Sequence, residues 1–130
     1  MRFLEAITIE FQADSRLSKN GLRRAHWRSS QPLIREARER AFILGRMEME
    51  GGWVTPDRCR VDVRQFWAGK PYDWDGLATL CASTLDGLVD AGVMPVDDDP
   101  THVVSYAMTA ERVQHRADSR IAVTVTPVSV

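Results

Sequence analysis

The sequence predicts a single α+β domain, a sandwich of one mixed sheet and two helices in the order β-α-β-α-β-β. Three observations predict it. The chain has 130 residues, enough for one hydrophobic core and too few for a second. Apolar residues make up 44% of it and charged residues 27%, the balance of a folding chain and not of a disordered tail. Two segments with helical apolar spacing alternate with segments of period two.

Residues 3–11, FLEAITIEF, carry branched side chains in partial alternation and read as a strand. Residues 12–30 are polar and arginine-rich and read as a long loop, a length that in compact domains goes with function. Ser30 then caps a helix with Pro32 in its first turn. The helix runs to about Met49, with a buried stripe of Leu33, Ile34, Ala37, Ala41, Leu44 and Met47 and an ion pair between Glu36 and Arg40. Gly51 and Gly52 end it. Residues 59–68 alternate as a half-buried strand, Cys59, Val61, Val63 and Gln65 on one face and Arg60, Asp62, Arg64 and Phe66 on the other. Asp75 caps a second helix, from Gly76 to about Ala91, whose stripe is Leu77, Leu80, Cys81, Thr84, Leu85 and Leu88. Gly92 stops it, and residues 95–100, PVDDDP, form an acidic turn. Residues 101–109 and 120–128 read as two closing strands joined by a polar, hairpin-like segment.

No apolar run approaches the roughly 20 residues of a membrane span. The first residues, MRFLE, meet a carboxylate at once, so no secretory leader is expected. Cys59 and Cys81 form no CxxC pair; neither a zinc knuckle nor a disulfide framework is expected, and a reducing cytoplasm fits best. The net charge of −1 conceals an asymmetry. Residues 1–60 carry 12 Lys and Arg against 8 Asp and Glu, whereas residues 61–130 carry 5 against 10. A basic half joined to an acidic half suits a protein that holds a polyanion with one part and a metal with the other. Ordinary charge scatter gives the same totals. Arginine outnumbers lysine 15 to 2, which makes Lys19 and Lys70 conspicuous.

Asp73-Trp74-Asp75 places two carboxylates on one face of an extended segment, where they can converge on a hard cation such as Mg²⁺. Alone, the same residues also describe a helix start, with Asp75 as cap and Asp73 at the positive end of the dipole. Asp97, Asp98 and Asp99 form a second acidic cluster, able to supply the third ligand of a phosphodiester-cleaving metal site. Asp75, Asp86 and Asp90 share one face of the helix between them, either a metal-site wall or a solvated side. In the long loop, Lys19, Arg23, Arg24, His26, Trp27 and Arg28 fit DNA contact, cations for phosphates and an indole for an unpaired base. Trp27 fits a buried anchor equally well. Trp53, Trp67 and Trp74 read as core or interface residues, and Met47 and Met49 as packing. His26, His102 and His115 have no triad or metal spacing; His102, beside the acidic turn, is a second candidate for activating water.

The stretch YDWDGLATLCASTLDGLVDAGVMPVDDDPTHV resembles the core of the RusA-type Holliday-junction resolvases: a DxDN opening a helix, a lysine on it, an acidic end, then Gly and a DD turn. The segment SKNGLRRAHWR is similar to the short Lys/Asn, basic and His-Trp segment of phage members, which adds Asn20 to the DNA-binding set. The resemblance implies a cytoplasmic, homodimeric endonuclease that nicks branched DNA with Mg²⁺, or with Mn²⁺ in its place. It assigns Asp73, Asp75 and Asp98 to the metal, with Asp97 and Asp99 as adjacent alternatives. Two departures stand out. Gly76 replaces the asparagine after the DxD, and Ala82 stands where the family has its lysine. Either Lys70 or an arginine supplies the missing cation, or the protein is a weakened or inactive junction-binding relative. In a third reading it is a dimeric scaffold whose acidic clusters are only caps and turns. Residues 76–90 span about 22 Å of helix. The chain from Gly92 to Asp98 reaches at most about 25 Å, so the metal site needs either a straight run back along the helix or a partner subunit.

Overall fold

The structure, a computed structural model, describes residues 4–18, 21–22, 27–96 and 99–129, with the side chains of residues 27–29 outside that description. Its elements are β1 (Ile7–Phe11), α1 (Trp27–Met49), β2 (Cys59–Trp67), α2 (Trp74–Ala91), β3 (Val103–Arg112) and β4 (Arg120–Pro127). One-turn 3-10 segments stand at Ser15–Leu17 and Arg116–Asp118. The expected α+β class and element order are those observed.

The sheet has the order β1-β4-β2-β3. β4 runs antiparallel to both β1 and β2, while β2 and β3 are parallel and joined by α2. The closing strands therefore do not form the hairpin expected from their nearness in sequence: after β3 the chain passes β2, and β4 lies between β1 and β2. Burial explains the choice. Ile121, Ala122 and Val123 are all buried, a run without alternation that suits a central strand with both edges paired.

One sheet face carries Ile7, Ile9 and Phe11, Val61 and Val63, and Ile121, Val123 and Val125, and it forms one core with α1 and α2. The expected alternation of β2 holds, with Cys59, Val61, Val63 and Gln65 all buried. The opposite face is polar, crossed by the ion pairs Arg60–Asp62, Arg64–Glu111 and Arg120–Glu10. Leu77, Leu80 and Leu88 of α2 are fully buried, each worth about 1.5–3 kcal/mol relative to exposure.

The two helices meet through small residues. Ala37 and Ala41 of α1 are buried, and a Cβ on Gly87 of α2 would lie 2.2 Å from the Arg38 carbonyl oxygen and 2.7 Å from the Ala41 Cβ. Across the same seam Arg38 donates to both carboxylate oxygens of Asp90, at 2.5 and 2.9 Å.

Several local expectations give way. α1 begins at Trp27, so Ser30 is buried inside the helix instead of capping it, and Pro32 lies past the first turn. Arg40 does not make the ion pair with Glu36. It lies 4.6 Å over the Phe11 ring, and its Nε is buried with no hydrogen-bond partner. Met47 points outward, 59% exposed, as does Trp74 at 52%. Trp53 is structural, its indole N–H donating to the Val93 carbonyl at 3.2 Å. Among the described residues no helix is long and apolar enough to cross a membrane.

Candidate functional site

β2 ends at Trp67, and the next few residues turn the chain into α2. Gln65, 2% exposed, holds that turn: its amide nitrogen donates to the Tyr72 carbonyl and its amide oxygen accepts from the Tyr72 N–H, both at 3.0 Å. A buried side chain thus imitates one rung of a strand ladder and delivers the chain to Asp73 in a set direction. Burial, reinforced by the Asp14 charge, pushes the Tyr72 hydroxyl above its ordinary pKa.

Asp73, not Asp75, is the N-cap of α2. Its Oδ1 accepts the Gly76 N–H at 2.7 Å, and its backbone is extended. Asp75 stands in the first turn, where the helix dipole favours its charge. Both carboxylates are exposed. A Cβ on Gly76 would lie 2.9 Å from the capping oxygen, so glycine at this position lets Asp73 close over the helix end.

Lys70 and Tyr72 line a cavity of about 290 Å³ together with Arg116, Arg120, Gln12 and Ser119. Its floor is the end of β2, Gln65 to Ala68, and the start of β4. No carboxylate lines it. Arg120 is tied at its back, its Nε to Glu10 at 3.2 Å and Nη1 to the Asp118 carbonyl at 2.8 Å. Among the described residues Lys70 and Arg116 have no ion-pair partner.

Asp99, the described aspartate of the acidic cluster, sits elsewhere. The Asp99 carbonyl accepts from the His102 and Val103 N–H groups at 3.0 and 2.8 Å, and the His102 carbonyl accepts from Cys59 at 2.8 Å. Asp99 therefore lies where β2 and β3 begin, whereas Asp73 and Asp75 lie where β2 ends. α2 joins these poles and has 18 residues, about 27 Å of helix. The chain after Gly92 does not run back along α2. The Thr55 hydroxyl donates to the Gly92 carbonyl at 2.5 Å, and Val96 shares a cleft with Thr55, Arg58 and His102.

Asp98, with Asp97, lies outside the described residues, as do Lys19, Asn20, Arg23, Arg24 and His26. Trp27 and Arg28 belong to the first turn of α1, so the expected loop is shorter than residues 12–30. Asp90 ties the two helices through Arg38, and Asp86 lends its charge to the same guanidinium. That acidic face serves the helix seam. Among the described residues no three of His, Cys, Asp and Glu come together in a metal-binding group. The extended Asp73-Trp74-Asp75 segment expected to put both carboxylates on one face does not form. Asp73 is the cap, its Oδ1 taken by the Gly76 N–H, and Trp74 and Asp75 are already helical, where residues two apart do not face each other. Mg²⁺ commonly takes only one or two protein carboxylates, its other ligands being water and substrate phosphates, so either aspartate can serve it singly.

Gln65, Arg116, Arg120 and Gln12 join the site without having stood out in sequence. A signal exists for Gln65 alone, a polar residue on the apolar face of an alternating strand.

The Thr101 hydroxyl and then the His102 ring hold the Asp99 carboxyl down, to about 2. A group depressed in the folded state contributes stability above its unfolded value of 3.8 and loses it as pH falls toward 2. The stability difference between wild type and Asp99→Asn is therefore expected to be full near pH 5 and to shrink between about pH 4 and pH 2. Urea denaturation at stepped pH measures it, and a flat difference would show that the ties do not form.

Comparison with known proteins finds no family model that matches the chain and no match among curated proteins.

Proposed function

We propose that this protein is a divalent-metal-dependent endonuclease of branched DNA, acting as a homodimer with Asp73, Asp75 and Asp98 as metal ligands. One observation carries the reading: two exposed carboxylates open a helix directly beside a cavity with three cations and no carboxylate. Carboxylates suit a hard cation, and the cations suit the phosphates of the strand being cut. Bound at the aspartates, Mg²⁺ would supply Lewis-acid polarisation of the phosphate and a water of lowered pKa. The chain's own residues do the rest. Gln65 and Tyr72 set the direction of Asp73, and Lys70 offers positive charge to the phosphate from the cavity rim. Two buried, free cysteines support a reducing, cytoplasmic setting.

The separation of the poles favours a site completed by a second subunit. β3 is a sheet edge of 10 residues with Val104 and Tyr106 exposed at 37% and 42%. Such an edge is a template for pairing. Two β3 strands paired antiparallel about a two-fold axis would carry the Asp99 end of one copy to the Arg112 end of the other. In the register of the sheet Gln65 stands beside Ala110, so Asp73 of the partner subunit belongs to that same end. Charge favours the match, the acidic turn meeting Arg112 and Arg116.

Ala82, exposed on α2 where the family has lysine, favours a second reading, a junction-binding protein without turnover. Nicking of a synthetic four-way junction decides between them. The wild type is expected to nick in Mg²⁺ and not in EDTA, and Asp75→Asn to lose about a hundredfold or more in rate while still binding. Tight binding without cleavage by the wild type would establish the second reading.

A further inference from the structure

We propose that the cavity at the end of β2 is a binding site for one phosphate group of a nucleotide, a site that works without metal. Three cations line it, Lys70, Arg116 and Arg120, with the amide of Gln12 beside them. At about 290 Å³ it is near the lower limit of small-ligand pockets, the size of a phosphate with its sugar and not of a dinucleotide. Its charge is directed. Arg120 is fixed by Glu10, by the Asp118 carbonyl and by the Phe66 ring 3.9 Å from its guanidinium carbon, so it keeps one position. Arg116 lines the same cavity from the 3-10 turn, its guanidinium 3.9 Å from the site of a Cβ on Gly69. Gly69 has φ +86°, a left-handed backbone that glycine adopts without strain, and it turns the chain just past β2 beside that arginine. The polar backbone of the floor is already satisfied: the Ala68 N–H donates to the Ser119 hydroxyl at 3.1 Å and Tyr72 pairs with Gln65. Lys70 and Arg116, without an ion-pair partner among the described residues, are what remains to meet a ligand beside the fixed Arg120, and a phosphate is the anion that fits guanidinium forks.

This deepens the endonuclease reading by giving the strand a fixed point beside Asp73, and it rests on that reading only for the identity of the strand. The test uses the full chain in EDTA, where nicking is silent. Thymidine 5′-monophosphate and inorganic phosphate are titrated separately, followed by calorimetry and by amide shifts of Gly69 and Ser119. Binding is expected, and Arg116→Gln should weaken it about tenfold or more, since a charge-assisted bond is lost. Arg60→Gln, on the open sheet face, should change it less than about twofold and serves as the folded control. Tighter binding of the nucleotide than of phosphate assigns the sugar to the cavity; equal binding assigns the phosphate alone. Absence of binding by either probe, or equal binding by wild type and Arg116→Gln, overturns the proposal whatever the junction assay gives. If the wild type never nicks yet Arg116→Gln loses nucleotide binding, the cavity stands and the endonuclease reading falls.

Discussion

Mixing chains that carry Asp75→Asn with chains that carry Asp98→Asn is expected to restore nicking of a four-way junction, although each variant alone is inactive. The expectation follows from the two poles. Where a site takes Asp73 and Asp75 from one chain and Asp98 from the other, a mixed dimer has one site with both lesions and one with none. Where all three come from one chain, every site keeps a lesion and mixing restores nothing. At equal amounts about half of the dimers are mixed, so recovery should approach about a quarter of the wild-type sites. The restored activity should give single nicks and not paired cuts, because each mixed dimer has one intact centre. Co-expression with two different affinity tags and gel analysis of the junction products measures this. Mixed samples no more active than either variant would sink the shared site.

Gly87→Ala is expected to destabilise the fold by about 2–3 kcal/mol, against the usual gain of about 1 kcal/mol when a helical glycine becomes alanine. The reason is the 2.2 Å separation between the added Cβ and the Arg38 carbonyl oxygen. That oxygen belongs to the backbone of α1, and it retreats only if the helix moves. Gly45 is the informative contrast. A Cβ there meets Val93 Cγ2, Leu88 Cδ2 and the Ala91 Cβ at 3.0, 3.1 and 3.3 Å, separations that need a shift of only a few tenths of an ångström, so Gly45→Ala should cost less than half as much. For a domain of this size the Gly87 change should lower the Tm by about 10 °C. Differential scanning calorimetry reads both, and a raised Tm for Gly87→Ala would show the helices to be further apart.

The sequence makes the period-two strand at β2 and the apolar stripe of α2 legible, because each residue there reports its own surroundings. Cys59 to Gln65 alternate as the core requires, and Leu77, Leu80 and Leu88 are buried as their spacing demands. Boundaries are less legible. Ser30 and Pro32 together imitate a helix start, yet α1 begins a turn earlier, at Trp27. Asp73 and Asp75 are both good caps, and the tie from Gln65 to Tyr72 is what favours the first. Strand order is legible only in part, since the run Ile121–Val123 marks a central strand but does not name its neighbours. The candidate site is the least legible. Lys70 is conspicuous as one of 2 lysines, whereas Arg116 and Arg120 are ordinary among 15 arginines until the sheet brings them to Lys70. Asp86 and Asp90 look like a functional face because Arg38, the charge they answer, lies 52 residues before Asp90.

The position of β4 bears on how the molecule assembles. Its segment follows the other three strands in sequence, yet it is the piece that joins β1 to the rest. During synthesis the βαβ unit of β2, α2 and β3 can collapse early, through contacts close in sequence, while β1 waits for a neighbour that the ribosome has not yet released. Until then the inner edge of β2 is open to any passing strand. Placing the latecomer at the centre is therefore expected to give a slow final folding step, which stopped-flow refolding at varied protein concentration would measure.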